Sequence, residues 1–153
     1  MKRISILFLA VSLALAASPS EAVVEPVTLL TPEEGAMAGV PSTGLVEIGM
    51  EFSAGPGIDV LQPDVGGNPM RPPIMILVKF VPSPDRPVDL STLKVECLKF
   101  ITIDITKRVL PYATKDGINV NAANFPPGEH RLRITLGDTS GGVTRKVFFV
   151  KVL

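Results

Sequence analysis

The chain has one histidine, His130, and one cysteine, Cys97, so imidazole or thiol chemistry would have to come from those two side chains. A thiolate nucleophile needs a base within hydrogen-bond reach and a third group to orient that base. Cys97 sits in "LKVECLKF", an alternating apolar run where a thiol packs as a small hydrophobe. With no mate for a disulfide, it is expected to be buried and inert. Metal chemistry finds little support either, because neither CxxC nor HExxH occurs. Asp85, Asp89, Asp104, Asp116 and Asp138 do not form a D-x-D-x-D calcium loop, and Met37, Met50, Met70 and Met75 include no Met-x-Met pair. "GVPSTG" and "DVGGNP" lack the glycine spacing of a phosphate cradle. The expectation is therefore no catalytic residue, no metal ligand and no cofactor.

His130 lies in "PPGEHRLRITLGDTSGG", residues 126 to 142, the most ordered pattern in the chain. Pro127 fixes its own φ and Gly128 accepts a positive one, so the pair predicts a tight turn with His130 starting a strand just after it. In many sandwich domains an inward aromatic ring at such a corner bonds back to nearby backbone, and an imidazole can do the same. Asp138 stands where a carboxylate can bond the amides of the "GDTSGG" turn. Pro127, Gly128, His130 and Asp138 are thus read as a structural corner and turn, not as a catalytic set.

The elements that position these residues are β-strands. "GIDVLQP", "PPIMILVKFVP", "STLKVECLKF", "ITIDITKRVL", "GINVNAANF", "HRLRITL" and "VTRKVFFVKVL" are short alternating runs bounded by Gly and Pro. They predict about seven strands of an all-β, antiparallel sandwich of immunoglobulin-like size. In "HRLRITL", His130, Leu132, Ile134 and Leu136 face one way, and Arg131, Arg133 and Thr135 the other. Two further segments precede this domain, which spans residues 58–153. Residues 1–22 carry Lys2 and Arg3, an apolar run and small residues, the pattern of a secretory signal peptide cleaved after Ala16 or Ala22. Its apolar run is too short for a membrane span, so the expected product is exported and soluble, in the periplasm or outside the cell. Residues 23–57 hold four prolines and six glycines and read as a semi-extended arm, partly ordered by docking on the domain. Within it, "VEPVTLLTPEEG" has room for one short strand near Val27 to Leu30, and "LVEIGMEF" for another.

Charge is unevenly spread along the chain. Residues 23 to 70 contain seven acids and no Lys or Arg, while residues 71 to 153 contain thirteen bases against seven acids. Arg131, Arg133, Arg145, Lys146 and Lys151 are the candidate patch for an anionic partner, with the Phe148–Phe149 pair leaving the register of the last strand open. Nucleic acid is not the expected partner of an exported chain with so few aromatics.

The run "FPPGEHRLRITLGDTSGGVTRKVFFVKV" resembles the closing strands of bacterial immunoglobulin-like modules, which often read L-x-P-G-x-H/Y-x-L, then D-x-x-G-N, then F-x-V. "LLTPEE", "GPGI", "DITKRV" and "PPGEH", in that order, are similar to a group of small exported bacterial proteins. The resemblance implies fold and compartment, not an activity. The sequence reading is a non-enzymatic binding or structural accessory module whose partner is a protein, a glycan or an anionic surface of the cell envelope. The alternative is a periplasmic metal or small-ligand carrier of the same fold.

Overall fold

The computed structural model describes residues 24–39, 52–64 and 68–153. Residues 1–22, read from the sequence as a signal peptide, and most of "LVEIGMEF" lie outside those residues. Among the described residues ten strands, four of them two residues long, make two sheets. The first contains β1 (Val27–Thr28), β8 (Gly117–Asn124), β4 (Ile74–Val81) and β3 (Gly57–Gln62) in that spatial order, with β7 (Ala113–Thr114) also on β8. The second runs β2 (Phe52–Ser53), β10 (Val143–Val152), β9 (Gly128–Asp138), β5 (Val88–Cys97), β6 (Ile103–Asp104). Pairing is antiparallel throughout except between β1 and β8.

The two inner faces share one apolar core, as a β-sandwich requires. Alternation decides what enters it. Ile74, Ile76, Val78 and Phe80 of β4 are buried, as are His130, Leu132, Ile134 and Leu136 of β9, while the intervening residues face out. On β10 the register places Phe148 opposite Leu132, in the core, and Phe149 opposite Arg131, on the outer face.

"ITIDITKRVL" does not form the expected strand. Only Ile103–Asp104 pair with β5, and the chain then turns into α2 (Thr106–Val109) and a 3-10 turn (Leu110–Tyr112). The carboxylate of Asp104 accepts from the Thr106 amide at 2.8 Å, which bends the backbone out of the strand. Ile105 and Val109, four residues apart, then bury together at helical spacing.

The segment 24–39 crosses from one sheet to the other. β1 extends the first sheet, with the Leu29 amide donating to the Asn124 carbonyl. Leu29 and Leu30 then enter the core at 2% and 1% exposure. Next comes a short helix, α1 (Pro32–Ala36), started by a capping box in which the Thr31 hydroxyl and the Glu34 carboxylate each accept from the other residue's amide. Beyond it Gly39 bridges to Lys99 at the end of β5, and the Phe100 amide donates to the Ala38 carbonyl. Burying Leu29 and Leu30 contributes about 3–6 kcal/mol of apolar transfer, so this segment belongs to the packed structure.

A fork-to-fork ion pair fastens it. Arg108 of α2 donates from both terminal nitrogens to the two Glu34 oxygens at 2.7 and 2.8 Å, and also to the Leu29 carbonyl at 2.9 Å. The hydrogen bonds from Arg108 hold the Glu34 carboxyl well below its usual range, at about 2. An unfolded glutamate takes up its proton near 4.5, so the stabilisation is complete above that pH and is lost as pH falls towards 2. Glu34→Gln is expected to destabilise the chain by about 1–2 kcal/mol at neutral pH, allowing for partial solvent screening. Urea melts of both proteins between pH 7 and pH 2 should converge at the acid end; a pH-independent gap would contradict the ion-pair assignment.

Candidate functional site

The crossing from β8 to β9 carries the chain between sheets within Phe125, Pro126 and Pro127. Two prolines supply no amide hydrogens to this crossing, and the Pro126 carbonyl takes its donor from a side chain. His130 supplies it, with Nε2 at 2.8 Å. A carbonyl only accepts, so Nε2 carries the proton and Nδ1 is bare. Nδ1 is buried and finds no partner among the described residues. The ring stacks on Phe125, with centroids 5.9 Å apart, and is 0% exposed. Burial lowers the His130 pKa first of all; its bond to Pro126 opposes that shift and the nearby Lys99 charge reinforces it. The imidazole is held neutral, inside, with its donor engaged. Gly128 takes φ +125° at the start of β9, a backbone angle that side chains disfavour.

Three contacts join this corner to α1. Gly35 packs so closely on the Pro126 ring that a Cβ would collide with Cγ. The Lys99 ammonium is nearly buried and donates to the Gly35 carbonyl at 3.2 Å and the Glu129 carbonyl at 3.4 Å. Both acceptors are backbone, so the ammonium ties the start of β9 to α1.

At the far end of β9, Asp138 Oδ1 accepts from the amides of Ser140 and Gly142 at 2.8 and 2.9 Å, closing the turn to β10. Its Oδ2 is buried with Arg86 Nη1 at 3.7 Å. Asp138 and His130 stand at opposite ends of an eleven-residue strand and share no site. Cys97 is 0% exposed, and burial pushes its thiol up to about 11. A thiol so shifted offers almost no thiolate at neutral pH.

The outer face of β9 and β10 gathers charge. Register stacks Arg145 beside Thr135, Val147 beside Arg133, Phe149 beside Arg131 and Lys151 beside Glu129. Four of the five candidate cations therefore share this face; Lys146, opposite Ile134, lies on the other side of the strand. The four are not equivalent. Arg133 donates from Nε and Nη2 to Glu96 Oε2 at 2.9 and 2.8 Å, while Lys94 reaches Glu96 Oε1 at 2.7 Å. Burial pulls the Glu96 pKa upward, but the hydrogen bonds from Lys94 and Arg133 outweigh it and leave the carboxyl below its usual range. Lys151 stands 3.7 Å from Glu129. Arg131 lies over the Phe149 ring, 5.3 Å from its centroid, and Arg145 is exposed.

Sequence alternation placed Arg131 and Arg133 on one face but missed Glu96, which comes from a strand 37 residues away. It also missed Lys99, whose position in "LKVECLKF" gives no sign of burial. The Glu34 latch had a visible signal in "LLTPEE", a capping box with proline at the first helical position. Comparison of the chain with protein-family models, curated proteins and solved structures finds no match.

His130→Ala removes the donor and leaves both a cavity and an unpaired Pro126 carbonyl, a loss expected at about 2–4 kcal/mol. His130→Gln, which keeps a side-chain N–H, should recover part of that stability. Urea denaturation of the three proteins checks this; equal losses for Ala and Gln would remove the hydrogen bond from the account.

Proposed function

We propose that this chain is an exported, non-enzymatic module of immunoglobulin-like architecture that works in the periplasm or outside the cell by binding an anionic partner. The binding surface is the outer face of β9 and β10. The observation that carries this reading is the β9–β10 register, which stacks Arg131, Arg133, Arg145 and Lys151 on one side of the sheet and gives the other side to the core. The burial of His130 and Cys97 supports a role without imidazole or thiol catalysis. The amino-terminal pattern of Lys2, Arg3 and an apolar run supports export. Among the described residues no helix is long and apolar enough to cross a membrane.

Within the face, Arg133 holds the buried Glu96 and Arg131 rests on Phe149, so these two cations have fixed bearings. Rigid cations recognise an anionic surface with little ordering cost. The acidic segment before β3 cannot be cut away to expose them, because Leu29 and Leu30 of that segment are core residues.

Binding of the full chain to a sulfated glycan and to vesicles containing an anionic lipid is expected to weaken as salt rises, since exposed charges are screened over ~8 Å at physiological strength. The double variant Arg131→Glu, Arg145→Glu should lose about tenfold or more in affinity, whereas Lys146→Gln, on the other side of the strand, should bind as wild type. Salt-independent binding, or equal losses for the two variants, would overturn the assignment of this face.

A further inference from the structure

The opposite sheet carries a different surface. On its outer face a hollow of about 310 Å³ opens over β4 and β8, walled by Leu61, Leu77, Tyr112 and Asp116. A second, of about 180 Å³, adjoins it and is lined by Val24, Glu25, Asn119 and Asn121. Tyr112 and Asn119 line both, so the two hollows lie side by side along β8 with the tyrosine between them. Tyr112 also packs against the core, which fixes its ring.

Polarity is graded along the site. The larger hollow has aliphatic walls: Leu61 is half exposed on edge strand β3, and Leu77 lies on β4 directly opposite Asn119. The smaller hollow brings two amides and a carboxylate, which can donate to and accept from hydroxyl groups. Charge is balanced around the larger hollow by Lys79 and Asp116, and the smaller one has only Glu25, so a carboxylate or phosphate head would meet a like charge. Apolar walls with a few convergent polar groups are the usual make-up of a small-molecule site, and 310 Å³ is at the lower end of such sites.

From this geometry we infer that the outer face of the β3–β4–β8 sheet binds a neutral amphiphile, with its apolar part between Leu61 and Leu77 and a hydroxyl-rich, uncharged head at Asn119, Asn121 and Glu25. Tyr112 lies between the two parts. The site is separate from the charged face and takes a ligand of opposite character.

The chain contains one tyrosine and no tryptophan, so its tyrosine emission, excited selectively over phenylalanine, comes from Tyr112 alone. The full chain is titrated with octyl β-glucoside below its micelle-forming concentration, with glucose and with octanoate, following that emission. The glycoside is expected to give a saturable change, with glucose and octanoate each at least about tenfold weaker for want of the apolar part or the neutral head. Leu61→Asp, at an exposed edge position, should weaken the glycoside at least about tenfold while melting as wild type, because its carboxylate must be desolvated. Leu77→Ser provides the same test from the central strand, and Arg145→Glu should titrate as wild type. No saturable change with the glycoside overturns the proposal. So does octanoate binding as tightly as the glycoside, or undiminished binding by a folded Leu61→Asp or Leu77→Ser variant.

Discussion

The Pro126 carbonyl has to find a donor at the point where the chain leaves one sheet and begins the other, and the imidazole of His130 supplies it. Much of the packing follows from that bond. It fixes the path between Phe125 and Gly128, which sets where β9 starts and hence which of its residues face inward. With Phe125 stacked on the ring and Gly35 pressed on the Pro126 ring, α1 has a single seat. Lys99 and Arg108 then hold that helix from two sides, through the Gly35 carbonyl and the Glu34 carboxylate. Leu29 and Leu30, just upstream, fill the core between the sheets.

The polar groups of the fold divide by what they bond. Several buried ones bond to backbone or to fixed ion pairs: Asp138 Oδ1 to the amides of its turn, Glu96 to Lys94 and Arg133, Lys99 to two carbonyls, whereas His130 Nδ1, Asp138 Oδ2 and Thr144 Oγ1 have no hydrogen-bond partner among the described residues. Buried groups need such partners, because a lost hydrogen bond inside costs more than one at the surface. The side chains whose chemistry makes catalysts, the imidazole and the thiol, are within this structural set. Burial acts on the two in opposite directions, lowering the imidazole pKa and raising that of the thiol. Its two outer sheet faces differ in character, one charged and one graded from apolar to polar.

The two-layer β architecture was legible where one face is buried and one is wet. β4 and β9 alternate strictly, so a period of two read their core residues directly. "ITIDITKRVL" also alternates over Ile101, Ile103 and Ile105, yet an Asp–Thr turn stopped the strand and a helical spacing of Ile105 and Val109 replaced it. Alternation alone could not separate these cases, because both patterns bury Ile105. Leu29 and Leu30 were obscured by the surrounding prolines and glycines. The charged face was half legible: which β9 residues point outward follows from one strand, whereas the partner of each cation depends on β5 and β10. The Tyr112 hollow was not legible, since β3, β4 and the Tyr112–Asn119 region meet only in three dimensions.

Because the chain has a single histidine, its imidazole gives one unambiguous set of resonances. A long-range proton–nitrogen correlation spectrum of the full chain, recorded as pH is lowered through the ordinary histidine range, reads its tautomer and its titration together. The account predicts a single Nε2-protonated tautomer at neutral pH and a ring whose titration midpoint lies below the ordinary 6.5 while the protein remains folded. An Nδ1-protonated ring, or one exchanging between tautomers and titrating near 6.5, would contradict the claim that His130 is a buried structural donor.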